Sequence, residues 1–174
     1  MFHKILVAAD GSEHSDKAVR MAGDLAIKYG ADLTLIHVLG HGEVSDEFVR
    51  MAESEHLIAP GKTDDIVPAS LYGDVYTATH GTQNYEISYK VHEQVGERII
   101  SDATDIAKRT GLKKVDTMIL DGDPAKNILE TAQDKEADLI VIGTRGLGTL
   151  KGLLMGSVSQ KVAQLSKCPC ITVK

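Results

Sequence analysis

Short apolar runs alternate along this chain with segments of helical spacing, and that alternation limits the fold more than any other feature. The runs are Ile5–Ala9, Leu33–Val38, Val115–Leu120, Leu139–Ile142 and Cys170–Val173. Ile5–Ala9 is continuously apolar, as expected of a strand buried on both faces. Between the first two runs, Ala18, Ala22, Leu25 and Tyr29 fall at i, i+4, i+7 and i+11, and Gly30 is a natural stop. Val91, Val95, Ile99, Ala103 and Ile106 form a second stripe, closed by Gly111. Asp123 and Pro124 suit the cap and first position of a third helix, with Ile128, Leu129 and Ala132 on its buried side. Val158, Val162 and Leu165 share one face of the last. Strands alternating with helices imply an α/β fold with a parallel sheet covered on both faces and right-handed crossovers. Spacing does not fix the strand order.

Residues of about 40–90 break the alternation. Asp46 to His56 reads as a short helix with Phe48, Met51 and Ala52 on one side, and Leu57 to Tyr85 holds no sustained period. Tyr72, Tyr76, Tyr85 and Tyr89 lie in or just after this stretch. It reads either as a tolerated insertion after the second strand or as a lid or dimer contact.

The candidate site is the loop after the fourth run. There Gly143-x2-Gly146-x9-Gly156-Ser157 joins a strand to a helix. Strand, glycine-rich loop and helix start together make a phosphate site, because glycine lets the backbone approach an anion and the first-turn N–H groups point at it. Two familiar patterns fail. No glycine of this loop precedes Lys and then Ser or Thr, as a P-loop requires. Gly146-Leu147-Gly148 opens a dinucleotide fingerprint, but Lys151 stands where its third glycine belongs. Gly143, Thr144, Arg145, Gly146, Gly148, Gly156, Ser157, Val158 and Ser159 are the candidate phosphate residues. Ser157 could both cap the last helix and donate to phosphate, and Arg145 keeps its charge near neutral pH. Asp10, with Gly11 and Ser12, follows the first strand. Its carboxylate suits a ribose hydroxyl or an adenine amino group; the alternative is a capping Asp beside Ser12.

These residues carry a resemblance. The glycine spacing is similar to the nucleotide-binding signature of the universal stress protein family, in its ATP-binding branch. Lys4 to Ser12, Leu33 to Val38, Gly122-Asp123-Pro124 and Lys167 to Val173 resemble the family's first strand and turn, second strand, G-x-P turn and closing strand. The resemblance covers residues 1–39 and about 90–174. It implies one domain over residues 1–174 with an open five-stranded parallel sheet, order 3-2-1-4-5, of the adenine nucleotide alpha hydrolase-like kind. In that order the topological switch lies between the first and fourth strands, where open α/β sheets bind ligands. The resemblance implies that Asp10 touches the nucleoside, that the Val38 backbone reads the adenine edge, and that the ligand is ATP, ADP or AMP. Mg²⁺ would bridge phosphate oxygens. Gly122 and Pro124 would wall the adenine or ribose. It further implies a homodimer through residues 170–173, acting as a stress-response sensor on an unknown regulatory protein. The rival readings are a slow ATP-hydrolysing enzyme and a nucleotide-free interaction module.

Composition sets outer limits. A net charge of −6 argues against a nucleic-acid or membrane-surface binder. A chain of 174 residues buries enough surface to fold without disulfides or structural metal. Cys168 and Cys170 would share one strand face, where a bridge is strained, so reduced thiols are expected, and with no signal peptide and no run of about 18 apolar residues a cytoplasmic location is expected. The dispersed histidines lack metal-ligand spacing, so no side-chain metal site is expected. With no Walker lysine, no Gly-x-Ser-x-Gly and no carboxylate pair aimed at the loop, the chain reads as a binding protein, not an enzyme.

Overall fold

A computed structural model describes residues 1–40, 46–54, 56, 82–147 and 155–174. Five strands form one parallel sheet: β1 (Lys4–Ala8), β2 (Asp32–Gly40), β3 (Asp116–Gly122), β4 (Leu139–Gly143) and β5 (Cys170–Val173). Their order is β3-β2-β1-β4-β5, so β1 lies between β2 and β4 and the chain reverses its direction of growth there. The register pairs Ala8 with Ile36 on one side and with Ile142 on the other. All five strands therefore send their carboxyl ends to one edge.

The period of two along each strand sorts the core into two layers. Ile5, Val7, Leu33, Leu35, Leu139 and Val141 face helices α1 (Glu13–Tyr29) and α3 (Thr82–Arg109). Leu6, Ile36, Ile140 and Ile142 face α4 (Pro124–Asp134) and α5 (Ser157–Leu165). Each such side chain contributes about 1.5–3 kcal/mol by leaving water, before chain entropy is set against it. Tyr29 ends the α1 stripe edge-on to Phe2, and Gly30 stops the helix in the left-handed conformation at φ 64°.

Helix α2 (Asp46–Ser54) packs its fully buried Ala52 into the first layer. Helix α3 starts at Thr82, earlier than the apolar stripe suggests. Its opening residues are polar and carry no stripe, yet once a helix has formed each added residue gains one bond at little cost. Residues 41–45, 55 and 57–81, with Tyr72 and Tyr76 among them, lie outside the described residues. One helix-face expectation fails: Leu165 is 58% exposed, whereas Val162 is buried. Spacing gives an angle around a helix axis, but Leu165 is the last helical residue and the chain turns away at Ser166. Among the described residues, no helix is long and apolar enough to cross a membrane.

Candidate functional site

The β1–α1 turn is held by its own side chains. Ser12 caps α1, its Oγ accepting from the Ser15 N–H at 3.2 Å. Asp10 Oδ1 accepts from the Ser12 N–H at 3.0 Å, and the Asp10 N–H donates to Ser15 Oγ at 3.1 Å. Gly11 sits between them at φ 80°, a conformation that disfavours a side chain. A cap of this kind stabilises by about 1 kcal/mol. One Asp10 oxygen is thus used in shaping the turn.

The loop after β4 is organised by Thr144, which is 5% exposed. Its N–H donates to Val173 O at 2.7 Å. Its carbonyl accepts from the Gly156 N–H at 2.7 Å and from Ser159 Oγ at 2.8 Å. Its hydroxyl meets His14 Nδ1 at 2.9 Å. One residue thereby ties β5, the start of α5 and the start of α1 together. The Ser12 hydroxyl adds a second tie, donating to Arg145 O at 3.2 Å.

The three motif glycines answer to different demands. A Cβ on Gly143 would come within 2.9 Å of His14 C and Ser15 N, backbone atoms that cannot give way cheaply. One on Gly146 would collide with Asp10 Oδ2. Position 156 differs: there the added atom would meet nothing nearer than Thr144 O at 3.5 Å, an ordinary contact. The backbone at Gly156 is extended (φ −77°, ψ 160°) and open to any residue. The backbone demands glycine at 143, and at 146 the placement of the Asp10 carboxylate favours it. At 156 neither constraint holds.

Gly156 is also the N-cap of α5, with no side-chain cap bond. The expected cap by Ser157 is therefore not formed. Ser157 is already the first helical residue, one position too late to reach back over the turn. The first intrahelical bond runs from Gln160 N to Gly156 O. That leaves the N–H groups of Ser157, Val158 and Ser159 without an acceptor among the described residues. By contrast, α1 and α4 are capped by Ser12 and Asp123. The Ser159 hydroxyl, 3% exposed overall, is occupied by Thr144 O and Gly156 O.

The chain and its 3-2-1-4-5 fold have counterparts among known proteins. Residues 1–174 match the universal stress protein family. The chain belongs to that family. It is 36% identical over 174 residues to the universal stress protein YxiE of Bacillus subtilis, covering all of both chains. The fold is similar to that of the universal stress protein UspA from Lactobacillus plantarum, with a TM-score of 0.72 at 20% identity over 99% of this chain and 98% of that one. It is similar also to a universal stress protein solved in complex with cAMP, with a TM-score of 0.63 and 25% identity over 99% and 97% of the two chains.

In this universal stress protein the remaining predicted residues sit on the same sheet edge at different distances from β1. Ala9 N donates to Ile36 O, so Val38 lies level with Asp10 on the neighbouring strand. Gly122 pairs with Gly40 at the end of β3, two strands from β1, at φ 126°. Asp123 caps α4 by accepting from Lys126 N–H at 2.7 Å, and Pro124 takes the first helical position. That N–H bond, chiefly, holds the Asp123 carboxyl below the usual range, with Lys161 of α5 adding to it at 3.5 Å. Gly148 lies outside the described residues.

Two groups near the site were not singled out by the sequence as site residues. The imidazole of His37 is buried on the α3 side, and its Nδ1–H donates to Ala9 O at 2.8 Å. Burial holds its pKa below the ordinary 6.5, against the opposing pull of that bond and of Asp10. His14 is the other. Its contact with Thr144 joins residues 130 positions apart, which no local pattern reveals. Cys168 and Cys170 are free thiols packed on the same layer, and burial pushes Cys170 up. A shallow hollow of about 150 Å³ lies at the opposite, amino edge of the sheet, between Lys4, Asp32, Asp116 and Lys135. The topology gives it no role, since ligands of open α/β sheets bind at the carboxyl edge.

Proposed function

We propose that this universal stress protein binds an adenine nucleotide, ATP foremost, in the crevice between β1 and β4. The observation that carries the reading is the start of α5. Three first-turn N–H groups lack an acceptor among the described residues, and the preceding Gly156 has no side chain although the fold leaves room for one. Uncapped amides beside a small residue suit phosphate oxygens. The cAMP complex of a 25% identical relative supports an adenine ligand.

In this reading the amides of Ser157, Val158 and Ser159 grip phosphate, Arg145 contributes charge, and Gly143, Thr144 and Gly146 shape the loop. Asp10 Oδ2, with Gly11 and Ser12 beside it, serves the nucleoside. The backbone of Val38 reads the adenine edge, and Gly122 and Pro124 close the far wall. Mg²⁺, where it accompanies ATP, would be held by the nucleotide and not by protein side chains, and would supply countercharge to the phosphates. The protein works by binding and not by turnover, as a cytoplasmic sensor whose nucleotide state alters its affinity for a regulatory partner. It pairs with a second copy through β5, an edge strand hydrogen-bonded on one side to β4, since an open edge is otherwise an aggregation hazard.

Mass spectrometry of small molecules released from freshly purified protein, followed by ATP calorimetry, tests the proposal. Adenine nucleotide in the released fraction and saturable ATP binding are expected. A nucleotide-free preparation that gives no heat with ATP would overturn it.

A further inference from the structure

We infer that His14 contacts the ligand itself, through an Nε2–H that donates to an oxygen of the phosphate chain. This rests on the nucleotide-binding reading above. The argument starts at Thr144. The residue is 5% exposed, and His14 Nδ1 at 2.9 Å is the one partner of its hydroxyl among the described residues. A buried hydroxyl needs an acceptor for its proton, because an unused donor in a dry place costs about 1–3 kcal/mol. If Nδ1 carried hydrogen, it would donate to Thr144 Oγ1 and leave the hydroxyl proton with nowhere to go. We therefore assign the hydroxyl as donor and Nδ1 as acceptor. In the neutral ring the proton then resides on Nε2.

The outer nitrogen is available. It has no hydrogen-bond partner among the described residues, and no described buried side-chain nitrogen or oxygen lacks one, so Nε2 reaches solvent. Its position is fixed from two sides. The Cβ of His14 lies 3.1 Å from where a Cβ on Gly143 would stand, which keeps the side chain against the end of β4. The same Thr144 that orients the ring also accepts from the Gly156 N–H. The His14 ring of α1 and the start of α5, with its open amides, are thus both anchored on Thr144. In this proposal an anion held by the amides also accepts from the Nε2–H. Sequence motifs overlook His14 because it lies outside the glycine-rich loop.

The test uses three proteins. His14→Asn keeps an acceptor near the Nδ1 position for Thr144 but has no donor at the Nε2 position; His14→Ala removes both. In calorimetry with ATP, both variants should lose about tenfold or more in affinity, the usual loss for a hydrogen bond to a charged oxygen. Circular dichroism and urea midpoints should show that His14→Asn stays folded. In the wild type, ¹⁵N-resolved imidazole spectra at pH 8 should show the proton on Nε2, and adding ATP should slow its exchange with water. Wild-type ATP affinity in a folded His14→Asn variant would overturn the inference and leave the nucleotide reading standing. A proton found on Nδ1 in the free protein would overturn it too. No ATP binding by the wild type would overturn both readings together.

Discussion

The carboxylate of Asp10 occupies the space that a side chain on Gly146 would need. Asp10 follows β1 and Gly146 lies in the loop after β4, so the two loops of the crevice are fitted to each other before any ligand arrives. The second motif glycine is thereby explained by a neighbouring side chain. Gly143 is explained by the backbone of α1. The distinction between a side-chain and a backbone neighbour has measurable consequences.

Gly143→Ala should be the more damaging of the two changes. Its methyl meets main-chain atoms at 2.9 Å, so β4 and α1 must separate. A loss of about 1–3 kcal/mol is expected, the usual range for overpacking. Gly146→Ala displaces only the end of Asp10, breaking its bond to the Ser12 N–H, which is worth about 1 kcal/mol. Urea unfolding of both variants checks the ranking, and an equal or reversed order would contradict the packing described.

Gly156→Ala separates stability from binding. The methyl fits at 3.5 Å and the backbone is extended, so the change in unfolding free energy should stay within about 0.5 kcal/mol of zero. ATP affinity should nevertheless fall, because the methyl stands beside the open amides of α5. Calorimetry and urea unfolding on one sample are the measurements. A stable variant with full affinity would place the phosphate elsewhere.

Ser159→Ala should do the opposite. Its hydroxyl is engaged by Thr144 O and Gly156 O, so removing it costs about 1–2 kcal/mol. Its amide remains, and ATP affinity should change less than twofold, within about 0.4 kcal/mol. A large affinity loss without destabilisation would show that the hydroxyl serves the ligand.

Acid should weaken the fold through His37. Its folded pKa is lowered from 6.5 by burial, so below pH 6.5 the unfolded chain binds a proton that the folded one refuses. The contribution to stability is complete above pH 6.5 and is lost as pH falls towards the lowered value. His37→Asn keeps a donor near the Ala9 carbonyl without a titrating group. Urea midpoints between pH 7.5 and pH 5 should drop less in this variant than in the wild type; an equal drop would assign the acid sensitivity to other groups.

Much of the architecture was legible from local pattern. The apolar runs and stripes located all five strands and four helices, because burial on a sheet or helix face imposes its period on the sequence. Asp123-Pro124 and Gly30 marked helix ends through requirements confined to one turn. The short α2 was also legible, ending at Ser54 and not at His56. The start of α3 at Thr82 was not, since polar residues added to an existing helix leave no periodic trace.

By itself, the sequence determined a parallel α/β sheet, a glycine-rich loop opening a helix, and the family to which these features belong. The sheet and the loop follow from short-range rules on periodicity, capping and backbone freedom, written over a few consecutive residues, and the family follows from the resemblance of its motifs. Only the tertiary structure decided what each motif residue does. It gave Gly146 to Asp10, Gly143 to α1 and the Ser159 hydroxyl to Thr144, and it left Gly156 with room to spare. It also brought His14 to Thr144 across 130 positions. Contacts between distant segments depend on how elements pack, and packing is set by the whole core at once and by no local stretch of chain.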